Sequence, residues 1–410
     1  MNETAPLEDP RVSAQLALLQ RGVHDLISRT ELAAALTKSM ATGRPLRVKL
    51  GVDPTSASLH LGFTLGLRKL RQFQDLGHQA VLIIGDATAM VGDPTGRNKA
   101  RPRLDASTVD AHAKHYLEQA CRILNRETLE VRRNGEWLKA LDFSSFIELA
   151  SRSTVARMLE RDDFQKRWKE GTAIQLHEFL YPLLQGQDSV AVQADVELGG
   201  RDQLFNLLVG RDLQQQHGQT PQVCMTTPLL IGTDGVRKMS KSYDNHVGID
   251  ESADDMILKV MRINDAMLRD WMLHLTRFDD AQIEALLGAG TNPRDAKLAL
   301  GKSIVADYHG AEAADQAAEG WLRRVSRKET DESLALLVVP SAWAGQDISV
   351  LELLMHSGWF ASKGEARRQL EQGAVNIGAE RISGHQAHAT LHGGEVLRVG
   401  RQRSARISFS

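Results

Sequence analysis

Cysteine is nearly absent from this 410-residue chain, which holds only Cys121 and Cys224. They lie far apart and in no metal-ligand spacing, which argues against a disulfide framework and a zinc site and fits a reducing cytosol. No apolar run reaches the ~20 residues needed to cross a bilayer, so no membrane partner is expected. The N-terminus carries Glu3, Glu8 and Asp9 and lacks the basic and apolar regions of a secretory signal. Internal repeats and low-complexity segments are missing too. Neither sign of charge dominates, with 50 Lys and Arg against 52 Asp and Glu. The balance is uneven along the chain, however. Ile348 to Ser410 holds eight Lys and Arg against five Glu and no Asp, a net of +3, which leaves −5 on the rest. A basic tail on an acidic body points to a module that faces RNA.

What is present is an ordinary soluble composition, 42% hydrophobic and 25% charged. The length calls for two or three domains. Residues 12–40 read as an amphipathic helix. Leu46 to Val52 reads as a strand and Asp53-Pro54-Thr55 as a turn. Leu61, Leu65, Leu70, Phe73 and Leu76 recur at near-helical spacing, with Gly77 closing the helix. Val81 to Ile84 is a continuous apolar run, as in a buried parallel strand. Strand, helix, strand in this order implies a parallel sheet with ligands at the C-terminal ends of the strands. Val190, Val192, Ala194, Val196 and Leu198 alternate as in a second strand region, with a helix from near Asp202. Residues 252–330 are rich in helix formers, and 331–347, with Pro340 and Gly345, reads as a linker before a short α/β module.

Two short segments carry the chemistry. His60-Leu61-Gly62-Phe63 opens a helix after an apolar strand. Lys238-Met239-Ser240-Lys241-Ser242 sits on a Gly-flanked loop. An adenine ring needs a flat, close floor, which Gly62 offers as bare backbone. Phosphates need cations and polar hydrogens, which His60, Lys238, Ser240 and Lys241 supply. Alone, each segment also fits a helix cap or a solvated turn; the ordered pair points to a nucleotide site.

The pair resembles the two nucleotide signatures of class I aminoacyl-tRNA synthetases, and much of the chain is similar to the bacterial tyrosyl-tRNA synthetases. The likeness rests on Gly51-Val52-Asp53-Pro54-Thr55, Gly92-Asp93-Pro94-Thr95-Gly96, Val155 to Asp163, His177 to Gln185 and Asp195 to Gln203, and extends roughly from residue 12 to 410. It implies a Rossmann-like α/β catalytic domain with a parallel sheet over residues 1–231 and a signature loop over 232–250. An α-helical anticodon-binding domain over 251–335, a linker over 336–347 and a small ribosomal-protein-like RNA-binding domain over 348–410 would follow.

The resemblance also implies an activity: tyrosine is activated with ATP, accompanied by Mg2+ as co-substrate, and transferred to the terminal ribose of tRNA(Tyr). A homodimer is implied, and no protein-bound metal is expected. His60, Lys238, Lys241 and Thr55 take catalytic places around the phosphates. Asp53, Gly62, Phe63, Asp202, Gln203, Ser240 and Lys241 take ATP-binding places. Asp93, Tyr181 and Gln185 match groups that hold the substrate ammonium, and Asp188 matches the carboxylate that accepts from the phenol. Gly51 and Lys49 complete the amino-acid side. Arg97 and Arg101 match cations near the phosphates or the tRNA end, and Lys363, Arg367 and Arg368 stand on a helix that would meet tRNA phosphates, with Ser362 as its N-cap.

The sequence departs from the family at several points. Phe63 stands where a second His is usual, Lys49 where many members have a Tyr, Gln187 where an aromatic is usual, and Arg201 where a small hydroxyl residue is usual. These departures leave two alternatives open beside tyrosine ligation: a divergent paralogue activating a tyrosine analogue, and a non-catalytic RNA-binding protein on the same scaffold.

Overall fold

Apolar strands such as Val81 to Ile84 need cover on both faces, and a parallel sheet between helices supplies it. The computed structural model describes residues 9–54, 58–93, 106–323, 334–378, 380–384, 386–400 and 403–410. The chain divides into two compact units, residues 1–318 and 319–410.

The first unit is built on a six-stranded sheet of β1 (Asp25–Ile27), β2 (Arg47–Val52), β3 (Gln79–Ile84), β4 (Leu129–Arg133), β5 (Val196–Gly200) and β6 (Val223–Thr227). Their order is β1-β6-β5-β2-β3-β4. All neighbours run parallel except β1 and β6. The order reverses at β2, with β3 and β4 on one side and β5 and β6 on the other. In open parallel sheets the ligand crevice lies beyond the strand C-termini at such a reversal. Asp53, Asp86, Asn134 and Asp202 stand just past the ends of β2, β3, β4 and β5. The helix Leu61–Asp75 joins β2 to β3 and buries Leu61, Leu65, Leu70 and Phe73, as its spacing predicts. Gly77 ends it in the left-handed region at φ 85°.

The structure corrects three readings of the sequence. Residues 12–40 are not one helix but two, Pro10–Gln20 and Arg29–Thr42, with β1 between them. Gly22 turns left-handed at φ 73°, and Ser28 with Glu31 forms a capping box that starts the second helix. Val190 and Val192 belong to the helix Tyr181–Val192, and the strand begins only at Val196. That helix is buried over most of its surface, so its apolar residues carry no period that separates helix from strand. The residues read as a linker include a strand, β7 (Leu336–Val339), because its apolar run pairs in parallel with a later strand.

Helices from Ala253–Val260 to Pro293–His309 belong to the same compact unit as the sheet. Trp271, fully buried, donates from its indole nitrogen to the Ile231 carbonyl at 3.2 Å, and Arg68 pairs with Asp307. In the second unit β7, β8 (Asp347–Ser349), β9 (Val375–Ile377), β10 (Glu380–Ile382), β11 (His388–Thr390), β12 (Val396–Val399) and β13 (Arg403–Phe409) form a five-stranded sheet, β10-β9-β12-β13-β7, and a two-stranded one, β11-β8. Val350, Leu353, Leu354, Leu370, Leu397 and Ile407 fill its core. Among the described residues no helix is long and apolar enough to cross a membrane.

Candidate active site

Tyr181, Gln185 and Asp188 lie at i, i+4 and i+7 on the helix Tyr181–Val192, so they share one face. Asp188 is 3% exposed. Its Oδ1 accepts from Trp137 Nε1 at 2.9 Å and its Oδ2 from Asn134 Nδ2 at 3.3 Å. Asn134 is fixed in turn, because its Oδ1 accepts from the Ala87 amide and its Nδ2 also reaches Thr88 Oγ1. Burial pushes the Asp188 carboxyl up to about 7, against the Lys49 charge and the two donors, which pull it down. A buried carboxyl of this kind is a strong acceptor for a phenol hydroxyl.

At the other end of the same face the Tyr181 hydroxyl donates to Asp53 Oδ2 at 2.9 Å, and Thr88 Oγ1 donates to Asp53 Oδ1 at 2.7 Å. Burial, with Asp53 and Asp93 nearby, raises the Tyr181 phenol well above its ordinary value, so it stays a donor. Asp93 Oδ2 accepts from Gln203 Nε2 at 2.9 Å, and the Arg161 guanidinium lies 3.7 Å from Asp93 Oδ1. Gln185 Oε1 accepts from Asn206 Nδ2 at 3.0 Å, and Gln185 Nε2 donates to Glu197 Oε1 at 3.1 Å. Lys49, expected beside the substrate, is fully buried and directs its ammonium to the Gln185 carbonyl (3.0 Å), Ser189 Oγ (2.8 Å) and Glu197 Oε1 (2.9 Å). Three donors meet three acceptors, so Lys49 supports the wall from behind. Gly51, at the end of β2, is exposed.

The two signatures meet on the nucleotide side. The Leu61 amide donates to the Val247 carbonyl at 2.9 Å and the Ile249 amide to the Leu59 carbonyl at 3.1 Å, which ties the helix start to the segment after the lysine loop. A Cβ on Gly62 would come within 3.1 Å of the His60 ring and 3.5 Å of Met239, so a side chain there would require the His60 ring to give way. The His60 ring lies 4.7 Å from that of Phe63, which is 54% exposed. Burial, with the charges of His246 and Lys241, lowers the His60 imidazole to about 4. It is therefore neutral near pH 7, and its Nδ1 is buried without a hydrogen-bond partner. A neutral imidazole can donate one N–H to a phosphate. Lys241 Nζ donates to the Ser58 carbonyl at 2.7 Å and hydroxyl at 2.6 Å, and Lys238 Nζ pairs with Asp202 Oδ2 at 3.1 Å.

Asn245 holds the lysine loop in shape. Its Oδ1 accepts from the Ser240 amide at 2.8 Å, and its Nδ2 reaches Asp234 Oδ2 and the carbonyls of Arg237 and Lys238. A Cβ on Gly232 would run into Asn245. For the ATP-dependent activation that the resemblance implies, Asn245→Ala is expected to lower kcat by about 10²-fold, since a misplacement of about 1 Å costs on that order. The KM for the amino acid, which the resemblance places by Tyr181, Gln185 and Asp188, is expected to hold. Steady-state pyrophosphate exchange checks both.

Of the residues the sequence singled out, Thr55, Arg97 and Arg101 lie outside the described residues. Lys363, Arg367 and Arg368 are exposed on the helix Lys363–Glu371 of the second unit. Ser362 caps that helix by accepting from the Glu365 amide at 3.3 Å. Sequence reasoning missed Trp137, Asn134, Asn206, Arg161, Glu197 and Asn245. For Glu197 the signal was there: an acidic residue inside an apolar strand, in register with Lys49 on the next strand. Among the described residues no group of three or more His, Cys, Asp or Glu is placed to hold a metal ion.

The family model for class I tRNA synthetases of tryptophan and tyrosine matches residues 40–326. A tyrosine–tRNA ligase of Symbiobacterium thermophilum is 50% identical over 400 residues, covering 97% of this chain and 98% of the relative. One from Bordetella avium is 45% identical over 404 residues, covering 98% of each. Among solved structures, a C-terminally truncated mitochondrial tyrosyl-tRNA synthetase of Coccidioides posadasii superposes with a TM-score of 0.63 at 24% identity, over 76% of this chain and 94% of that one. The tyrosyl-tRNA synthetase of Archaeoglobus fulgidus, solved with L-tyrosine, gives 0.61 at 20% identity over 75% and 99%. At those identities the likeness speaks to the fold alone. A parallel sheet that reverses at β2, two signatures joined beside it and relatives of this closeness over nearly the whole length give one conclusion: the chain belongs to the class I aminoacyl-tRNA synthetases, in the family of the tyrosine–tRNA ligases.

Proposed function

We propose that this chain activates L-tyrosine with ATP at the β2–β5 crevice and transfers it to the terminal ribose of tRNA(Tyr). The observation that carries this reading is Asp188, a buried carboxyl fixed by Trp137 and Asn134 on the same helix face as Tyr181 and Gln185. The phenol hydroxyl donates to Asp188. The ammonium is held among acceptors: Asp93, the Gln185 carbonyl oxygen and the Tyr181 hydroxyl oxygen, backed by Asp53.

The substrate carboxylate then attacks the α-phosphorus of ATP in line, and pyrophosphate leaves. No side chain needs to act as nucleophile, so catalysis consists of positioning and stabilisation of charge on the phosphates. Gly62 offers its backbone N–H and the Leu61–Asp75 helix its positive dipole end, the Leu61 and Phe63 amides being taken by the Val247 and His60 carbonyls. Neutral His60 adds a donor, and Lys238 and Lys241 add charge once they turn from Asp202 and Ser58 to the phosphates. Thr55 belongs with them, and Asp53, Asp202 and Gln203 line the ribose side. Magnesium arrives with ATP as part of the substrate. In the second half-reaction a ribose hydroxyl of tRNA attacks the acyl carbonyl and the adenylate phosphate leaves.

The segment over 251–335, with its helices from Ala253–Val260 to Ala311–Trp321, serves the anticodon end of the tRNA. The module over 348–410 adds Lys363, Arg367 and Arg368, whose contacts to phosphates are electrostatic and weaken with salt. Arg97 and Arg101 act near the phosphates or the acceptor end. The enzyme works as a homodimer in the cytoplasm. Phe143 (82% exposed), Val155, Trp168 and Leu176 (81% exposed), apolar side chains on four successive elements, are the candidates for its dimer contact.

Charging of tRNA(Tyr) with labelled tyrosine tests the reading. Acid-stable transfer of tyrosine, with twice the chain mass in sedimentation equilibrium, is expected. Binding of tRNA with no tyrosine-dependent pyrophosphate exchange would instead favour the non-catalytic alternative, for which Phe63 is the motive.

A further inference from the structure

An amide side chain presents an acceptor at one end and two donors at the other, so its sense must be fixed wherever it meets a charged ligand. Two groups of fixed character bracket the amides of this site. Glu197 is a buried carboxylate that only accepts; its ion pair with Lys49 at 2.9 Å leaves both side chains 1% exposed or less. Its Oε2 takes a hydrogen bond from Ser189 Oγ at 3.0 Å and another from Gln222 Nε2 at 2.5 Å. Gln185 must therefore turn its Nε2 toward Glu197 Oε1. At the far end the Arg161 guanidinium, which only donates, faces Asn206 Oδ1 at 3.3 Å. Asn206 must then present its Nδ2, which donates to Gln185 Oε1 and to Gln203 Oε1. Donation runs one way, from Arg161 through Asn206 and Gln185 to Glu197.

We propose that Glu197, paired with Lys49, is a positioning residue for the ammonium subsite: it locks the Gln185 amide with its carbonyl oxygen presented to the substrate. That oxygen accepts one hydrogen bond from Asn206 and keeps a second lone pair for the substrate amine. With the amide reversed, Gln185 would meet the ammonium with N–H donors, and the attraction would become repulsion. Lys49 acts through Glu197 and does not read the phenol. The inference rests on the assignment of Gln185 to the ammonium given above.

The test compares wild type, Glu197→Gln and the double variant Lys49→Met with Glu197→Gln in tyrosine-dependent pyrophosphate exchange. Two competitive inhibitors are used as probes: tyrosinol, which keeps the amine, and 3-(4-hydroxyphenyl)propanoate, which lacks it. The double variant removes both charges together and covers the case in which Glu197→Gln alone fails to fold beside an unpaired lysine. In the variants that fold, the KM for tyrosine and the Ki for tyrosinol are expected to rise at least about tenfold, with the Ki for the amine-free probe within about twofold of wild type. A merely structural role would weaken both probes together. Equal loss for both probes, or no loss for either, overturns the proposal. Failure of the wild-type enzyme to exchange with tyrosine would instead defeat the functional reading beneath it.

Discussion

Asp188→Asn is expected to lower kcat/KM for tyrosine by about 10²-fold while changing that for phenylalanine little. A hydrogen bond to a charged partner contributes roughly 1.5–3 kcal/mol, which sets the size of the loss. Phenylalanine loses nothing, because it makes no such bond, and it gains a site in which no carboxylate is stranded opposite its ring. Tyrosyl-tRNA synthetases are themselves the usual illustration of this readout, at about 10⁵ over phenylalanine without editing; that figure is the family's, and the variant is expected to remove about two decades from whatever ratio the wild type shows.

The same substitution has a signature in stability. Burial holds the folded Asp188 at about 7, above the ordinary value of 3.8. Between those two values the folded chain keeps a proton that the unfolded chain has lost. Stability from this group is therefore fully present below about pH 4 and is lost as pH rises through about 7. Asparagine does not titrate, so the variant should lack that decline. Its absolute stability also carries the cost of turning an amide donor toward Asn134. Denaturant midpoints at pH 5 and pH 8 check this: the drop between them should be smaller in the variant by an amount on the order of a few kcal/mol.

Lys241→Met is expected to reduce kcat for adenylate formation by about 10²–10³-fold, the usual cost of removing one donor that meets charge developing in the transition state. The KM for tyrosine should hold, because Asp188, Gln185 and Asp93 are untouched. In the structure the Lys241 ammonium is bonded to the Ser58 backbone and hydroxyl, and burial lowers its affinity for a proton. Methionine keeps the length and apolar stem of the side chain, so the loss reports the charge. The neutral state of His60 in the free chain adds a further expectation: the pH profile of kcat/KM should show no step from this group between about pH 5 and 8, since burial lowers it to about 4.

Much of this site was legible in the sequence because its chemistry sits at strand ends and helix starts, where local signals are strong. Gly62 after His60 and the apolar run at Val81 follow from short-range rules, whereas Tyr181, Gln185 and Asp188 were placed by the family resemblance and their shared helix face emerges only in the structure. What was not legible depends on strands and helices brought together from afar. Trp137 and Asn134 follow β4, some 50 residues before Asp188, and no spacing rule joins them. Asn245 lies five residues past Ser240 yet reads as a turn residue until its four partners are seen. The strand read at Val190 failed because a helix buried over most of its surface carries no period. The linker read at 336–347 failed because Pro340 and Gly345 outweighed the apolar run beside them. Lys49 was read as a ligand contact because it stands where many family members have a Tyr; a charge in an apolar strand asks for a partner, and the partner is Glu197 on the neighbouring strand.

The most direct measurement is a crystal structure with a non-hydrolysable tyrosyl-adenylate analogue. The phenol oxygen is predicted within about 2.6–3.2 Å of an Asp188 oxygen, with the amine at Gln185 Oε1 and Asp93 and the adenine against Gly62. An analogue bound with its phenol away from Asp188, or its amine facing Gln185 Nε2, would contradict the account.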